Sequence, residues 1–227
     1  MASASVSQSE VIRLLAEAAE WRLLGLLFEY PSDAWRAQVT ALLPDLRDEA
    51  LRLLGEAALE FNSPGLHIAL FGPAGSVPVR EVKWQGGVQY GYLMAELNAY
   101  YGAFGYCPAA KEVADHLAIQ LGFVSYLRVK QALAMAEGEM GHAEVAGEAA
   151  ARFVKDHLAV SAEPVLQALE NFAPDYLVEA GRRIRNHAGP SPRTGYPLAM
   201  PGELEDDAEE MNCGAAPSGD GLIHIQP

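Results

Sequence analysis

From Glu112 to Leu127 the chain reads Glu-Val-Ala-Asp-His-Leu-Ala-Ile-Gln-Leu-Gly-Phe-Val-Ser-Tyr-Leu, and at helical spacing this segment is apolar on two sides. Ile119, Phe123, Tyr126 and Leu127 fall on one face, while Val113, Leu117, Leu121 and Val124 line the opposite one. A helix apolar nearly all round must be covered on several sides, so the segment predicts a central helix with others packed about it. At its start Glu112, Asp115 and His116 stand at i, i+3 and i+4, on the same face as the Ile119–Tyr126 stripe. A mostly acidic cluster opening onto an apolar stripe suits a basic-then-hydrophobic peptide better than a small substrate.

The remaining chain is punctuated as helices. Val11, Leu14, Leu15, Ala18 and Trp21 repeat at helical spacing, so a first helix is expected from a Ser7 or Ser9 cap to about Tyr30, before Pro31. Helices over 33–43 and 45–60 follow, divided by Pro44, and Asn62-Ser-Pro-Gly65 breaks the pattern. Residues 71–87 are too rich in Pro and Gly for a regular element. A helix over 88–103 places Tyr90, Leu93, Met94, Leu97 and Tyr101 on one side, and further helices fill 142–159, 161–171 and 174–187. No strand-like alternation runs longer than a few residues, so the expected fold is one all-α, bundle-like domain over 1–188. Residues 189–227 read as a flexible Pro/Gly-rich acidic tail, since from Asn186 onward Arg193 is the sole Lys or Arg against seven Asp or Glu. Asp115-His-Leu-Ala118 recurs as Asp156-His-Leu-Ala159, but the flanks do not align and the echo is not a repeat.

Composition narrows the function classes. A formal net charge of −14 argues against nucleic acid or an anionic membrane as the main partner and is compatible with cationic ones. Two cysteines, Cys107 and Cys213, in no CxxC spacing, point to a reducing compartment, with Cys107 beside Pro108 expected as a small buried hydrophobe. The N-terminus lacks a signal-peptide pattern and no apolar run approaches the about 18 residues of a membrane span, so a soluble, cytoplasmic protein is expected.

Several blocks in order resemble the TorD/DmsD/NarJ family of redox-enzyme maturation chaperones. They are Leu70-Phe71-Gly72-Pro73 with Pro78 and Glu81; Leu97 and Tyr100-Tyr101-Gly102 with Phe104; Glu112 with Asp115-His116-Leu117, Leu121 and Phe123; and Phe153 with His157-Leu158. The resemblance covers about residues 10–185 and leaves the tail unmatched. Ala114 replaces the usual proline before Asp-His, Gln120 stands where glutamate is common, and Val82 follows Glu81 where serine is frequent. The resemblance implies an all-helical, TorD-like cytoplasmic chaperone with no catalytic residues and no cofactor of its own. Its partner would be the catalytic subunit of a molybdenum oxidoreductase of the dimethyl-sulfoxide-reductase superfamily. It would bind that subunit's N-terminal segment, often a twin-arginine leader, and hold it from export while the client receives its molybdopterin guanine dinucleotide cofactor. The family's leader-binding region then falls on Glu112, Asp115 and His116.

Carboxylates are matching acceptors for guanidinium, and Ile119, Phe123 and Tyr126 would take the apolar part of a leader as a helix-in-groove contact. In this expectation Asp115 and Glu112 pair with leader arginines and His116 orients Asp115. Two alternatives stay open: a helical metal-dependent hydrolase or oxidase using Glu112, Asp115 and His116, and a generic peptide-binding adaptor. The di-metal bundle pattern of Glu-x-x-His pairs is missing, which weighs against a metal site. Phe71-Gly-Pro-Ala-Gly-Ser76 lacks the Lys and Ser/Thr of a phosphate loop and reads as a turn with Phe71 plugging the core. Arg182-Arg183-Ile-Arg185 closes the last helix, where cations complement the dipole. Arg182 and Arg183, with Glu81, are also candidate contacts for a partner or a cofactor phosphate. Homodimerisation stays open.

Overall fold

The computed structural model describes residues 2–86, 90–108 and 110–191, with side chains from Gln8 onward. Its helices are α1 (Ala2–Leu26), α2 (Asp33–Leu42), α3 (Glu49–Phe61), α4 (Pro64–Phe71), α5 (Tyr90–Phe104), α6 (Leu117–Ala136), α7 (Met140–Phe153), α8 (Ala159–Phe172) and α9 (Asp175–Ala188). Among the described residues there is no strand, only an isolated antiparallel bridge between Arg80 and His116. The fold is all-α. No helix among these residues is long and apolar enough to cross a membrane. Most of the expected acidic tail, with Cys213, lies outside the described residues.

The core is built around α6. From Leu117 to Val124 every one of its residues is buried. α1 packs along one side and α7 along another, while α8 packs on α9. Small residues set the α1–α6 spacing: a Cβ on Gly25 would stand 3.3 Å from the Ala118 carbonyl, and the Ser125 hydroxyl donates to the Ala18 carbonyl at 2.8 Å. Phe123 and Phe153 meet at 4.8 Å between ring centroids, with Tyr101 4.9 Å from Phe123 and Tyr100 5.3 Å from Phe153. Fully burying each such side chain stabilises by about 1.5–3 kcal/mol, so this cluster is a principal source of cohesion.

Several boundaries differ from the sequence expectation. α1 starts at Ala2, ahead of both Ser7 and Ser9, so neither is its cap. It ends at Leu26, where i→i−3 bonds from Phe28 and Glu29 tighten the chain and the Trp35 indole donates to the Leu26 carbonyl at 2.7 Å. Asn62-Ser-Pro-Gly65 starts a helix as well as ending one: the Ser63 hydroxyl accepts from the Leu66 amide and Pro64 occupies the first helical turn of α4. The expected break near residue 160 is instead a π turn, Val154–Leu158, that carries α7 into α8. Cys107 is exposed, not buried.

The main correction concerns the Glu112–Phe123 segment. α6 begins at Leu117, with His116 as N-cap, so Glu112 and Asp115 precede the helix and do not share its face. The reason is local. The backbone at 113–117 is engaged by residues 79–81, through Glu81 N–H to the Asp115 carbonyl (2.9 Å) and Leu117 N–H to the Val79 carbonyl (2.8 Å), and a turn closed by His116 N–H to the Val113 carbonyl (3.0 Å) leads into an extended His116.

Candidate functional site

Pairing of 79–81 with 113–117 sets two loops side by side and opens a cleft of about 670 Å³ between them and α4. Phe71, Pro73, Pro78 and Val113 form its apolar wall, and Arg80, Lys83, Glu112, His67 and His116 supply the polar groups. Three of the segments that carry the resemblance, 70–73, 78–81 and 112–117, are therefore brought together in space. Val113 is exposed on this wall, and Tyr30 stands edge-on to His67.

Glu112 lies exposed at the edge of this cleft. Asp115 does not: it is fully buried beneath Arg80, whose Nε and Nη2 donate to Oδ1 at 3.0 and 2.8 Å, while the Val82 amide donates to Oδ2 at 3.4 Å. Arg80 thus fixes Asp115, the role expected of His116. Tyr90 holds the outer side of the guanidinium, with its ring centroid at 5.4 Å and Oη at 3.2 Å.

His116 serves the helix. Its Nδ1 accepts from the Ala118 amide at 3.2 Å, so the neutral ring carries its proton on Nε2. Burial pushes its pKa down to about 4, with His67 and Arg80 adding in the same direction. His67, between Tyr30 and Phe71 at 5.4 and 5.3 Å, is also lowered by burial, and its Nδ1 is buried without a partner. Both imidazoles are neutral at physiological pH.

Ile119 and Phe123 are 1 % and 0 % exposed, so the expected open stripe is core and offers no surface to a peptide. Tyr126 is half-buried at a separate cleft with Cys107 and Pro108, its hydroxyl donating to the Phe104 carbonyl at 3.0 Å. Glu81 is wholly buried and cannot touch a partner or cofactor. It accepts from the side-chain amides of Gln85 and Gln120 and from His157 Nδ1 at 3.1 and 3.2 Å. Gln120 donates here, where an ionised glutamate would face a second carboxylate. The Asp-His echo also gains a meaning: both copies bracket Glu81, one through the Asp115 carbonyl and one through the His157 ring.

The basic patch is committed to the fold. Arg182 pairs with Glu170 (3.3 Å) and Glu179 (3.7 Å), and Arg183 with Asp48 (2.8 Å) and Glu20 (3.4 Å), which ties α9 to α1 and the start of α3. Among the described residues no group of three or more His, Cys, Asp or Glu is placed to hold a metal ion.

Sequence reasoning missed Arg80, Lys83 and His67. A single arginine two residues beyond Pro78 in a Pro/Gly-rich loop, and a histidine one helical turn before Phe71, were the available signals.

No curated protein sequence is significantly similar to the chain. The family model described as "Nitrate reductase delta subunit" matches residues 32–164, a span that holds both walls of the cleft, the Glu81 network and all of α6. With more than half of its length matched, the chain belongs to the nitrate reductase delta subunit family, a family of molybdoenzyme-maturation chaperones.

Proposed function

We propose that the protein is a non-enzymatic cytoplasmic chaperone dedicated to the catalytic subunit of one molybdenum oxidoreductase. It binds the N-terminal leader segment of that subunit, holds the apoenzyme from export, and keeps it open while the client receives its molybdopterin guanine dinucleotide cofactor. The observation that carries this reading is the coincidence of the family match with the cleft: the matched span contains every segment that builds it.

In this reading the apolar side chains of the leader lie against Phe71, Pro73, Pro78 and Val113. A leader guanidinium pairs with Glu112, the carboxylate that stands free at the rim. Arg80 is neutralised by Asp115 beneath it, so its charge does not repel a basic segment. The −14 net charge of the chain draws a basic segment in at long range.

The test is a native pull-down with the tagged full chain from anaerobically grown source cells, read by mass spectrometry. A large molybdopterin-type subunit still carrying its N-terminal segment is the expected product. Recovery with partners that lack both a basic leader and a molybdopterin fold would leave a generic adaptor instead.

A further inference from the structure

We propose that Arg80 is a built-in stand-in for a client arginine, and that an incoming guanidinium takes its place on Asp115. The inference rests on the client-binding reading above and adds how the cleft selects arginine.

Three observations carry it. First, Asp115 is a fully buried carboxylate directly beneath Arg80, and its whole cationic complement is that one guanidinium, which is 36 % exposed and lines the cleft. Second, the Arg80 backbone is pinned on both sides, by Leu117 N–H to the Val79 carbonyl and Glu81 N–H to the Asp115 carbonyl, so the side chain can swing out while the loop stays in place. Third, the outer face of the guanidinium is held by Tyr90, through its exposed ring and its hydroxyl at 3.2 Å, a hold from which Arg80 departs toward solvent.

The chemistry favours exchange over direct binding. A buried carboxylate with no partner carries a large desolvation cost and would destabilise the unoccupied protein. Arg80 removes that cost, and an external guanidinium that displaces it restores the same two charge-assisted bonds. The exchange is therefore nearly balanced at Asp115, and net affinity comes from what the rest of the client segment buries along the apolar wall. An ammonium lacks the planar fork that donates twice to Oδ1, so lysine cannot substitute. Asp115 thus ignores cations in general and yields to an arginine delivered together with apolar side chains.

Chemical rescue tests the exchange without any client. Arg80→Ala is melted with and without ethylguanidinium, with ethylammonium as the control. Ethylguanidinium at ten times its dissociation constant should raise the melting temperature of the variant by several degrees (about 2–4 °C per kcal/mol is typical for a chain of this size), with little effect of ethylammonium or on the wild type. If Arg80→Ala is unfolded alone, recovery of helical signal on adding ethylguanidinium is the same result. An equal response to the two cations would overturn the proposal.

A labelled peptide with paired arginines ahead of an apolar run then reads the competition. Arg80→Gln should bind it about ten-fold more tightly than wild type, with no gain for the paired-lysine version. In the double variant Arg80→Gln/Asp115→Asn the ten-fold gain for the arginine peptide should vanish, and its persistence would refute the role of Asp115. The two readings fail separately: a pull-down without a molybdoenzyme subunit removes the client assignment, whereas absent rescue removes only the exchange.

Discussion

Glu81 and His157 face each other inside the core, with both carboxylate oxygens within 3.2 Å of Nδ1 and neither side chain more than 2 % exposed. One comes from the Pro/Gly-rich loop and the other from the π turn between α7 and α8, so the pair fastens the cleft-forming loop to the α7–α8 junction. Removing the carboxylate takes the acceptor from the His157 Nδ1 and from the Gln85 and Gln120 side-chain amides at once. Glu81→Ala should cost about 3–5 kcal/mol in urea denaturation, and Glu81→Gln less, because an amide still accepts from one of its neighbours.

Glu112 and Asp115 should separate cleanly. Asp115→Asn leaves Arg80 facing a neutral amide and should lower stability by about 2 kcal/mol. Glu112→Gln touches an exposed group and should leave stability within about 0.5 kcal/mol. The same Glu112→Gln variant should weaken a basic leader peptide about five-fold by fluorescence anisotropy, and full retention of affinity would show that Glu112 is no anchor.

Acid should loosen the fold before the carboxylates titrate. The folded pKa of His116 is about 4, below its unfolded value near 6.5, so the unfolded chain takes up the proton first as pH falls. Stability from this group is complete above about pH 6.5 and declines toward pH 4, by about 2 kcal/mol at pH 5. His67, also lowered, acts in the same direction. His187 acts oppositely: its bond to Glu20 raises its pKa, so its contribution is complete below about pH 6.5 and fades as pH rises. His116→Asn keeps a good N-cap and should flatten the stability difference between pH 7.5 and 5.

Gly75→Ala should damage the cleft with little effect on the core. A Cβ at Gly75 would collide with the Leu70 backbone carbonyl, which has no side-chain freedom to give way. Hydrogen exchange should speed up in residues 72–83, with α1 and α6 unchanged, and leader affinity should fall with it.

The central α6 was legible because its residues are apolar on two faces, a pattern few other arrangements accept. The acidic cluster was misplaced for the same reason: helical periodicity cannot register that residues 113–117 pair with a loop 35 positions away, as in the Arg80–Asp115 contact. Ile119 and Phe123 were correctly seen as apolar, but a sequence does not say which apolar face meets protein and which meets solvent. α4 was missed though its Ser63-Pro64 start is a recognisable cap, because Gly65 and the preceding Asn62 read more strongly as a turn. The buried glutamate and the two neutral histidines depend on tertiary neighbours and leave no local signature.

Enclosure of α6 also sets where this chain can vary. A substitution from Leu117 to Val124 is filtered by folding before any partner meets it, since a Phe123→Ala exchange there costs about 3–5 kcal/mol of a typically 5–15 kcal/mol margin. Ile68, Pro73, Lys83, Glu112 and Val113 carry no such penalty. On the client-binding role proposed for the cleft, a lineage that acquires a new client rewrites the rim and leaves the central helix nearly untouched, so client choice diverges faster than architecture.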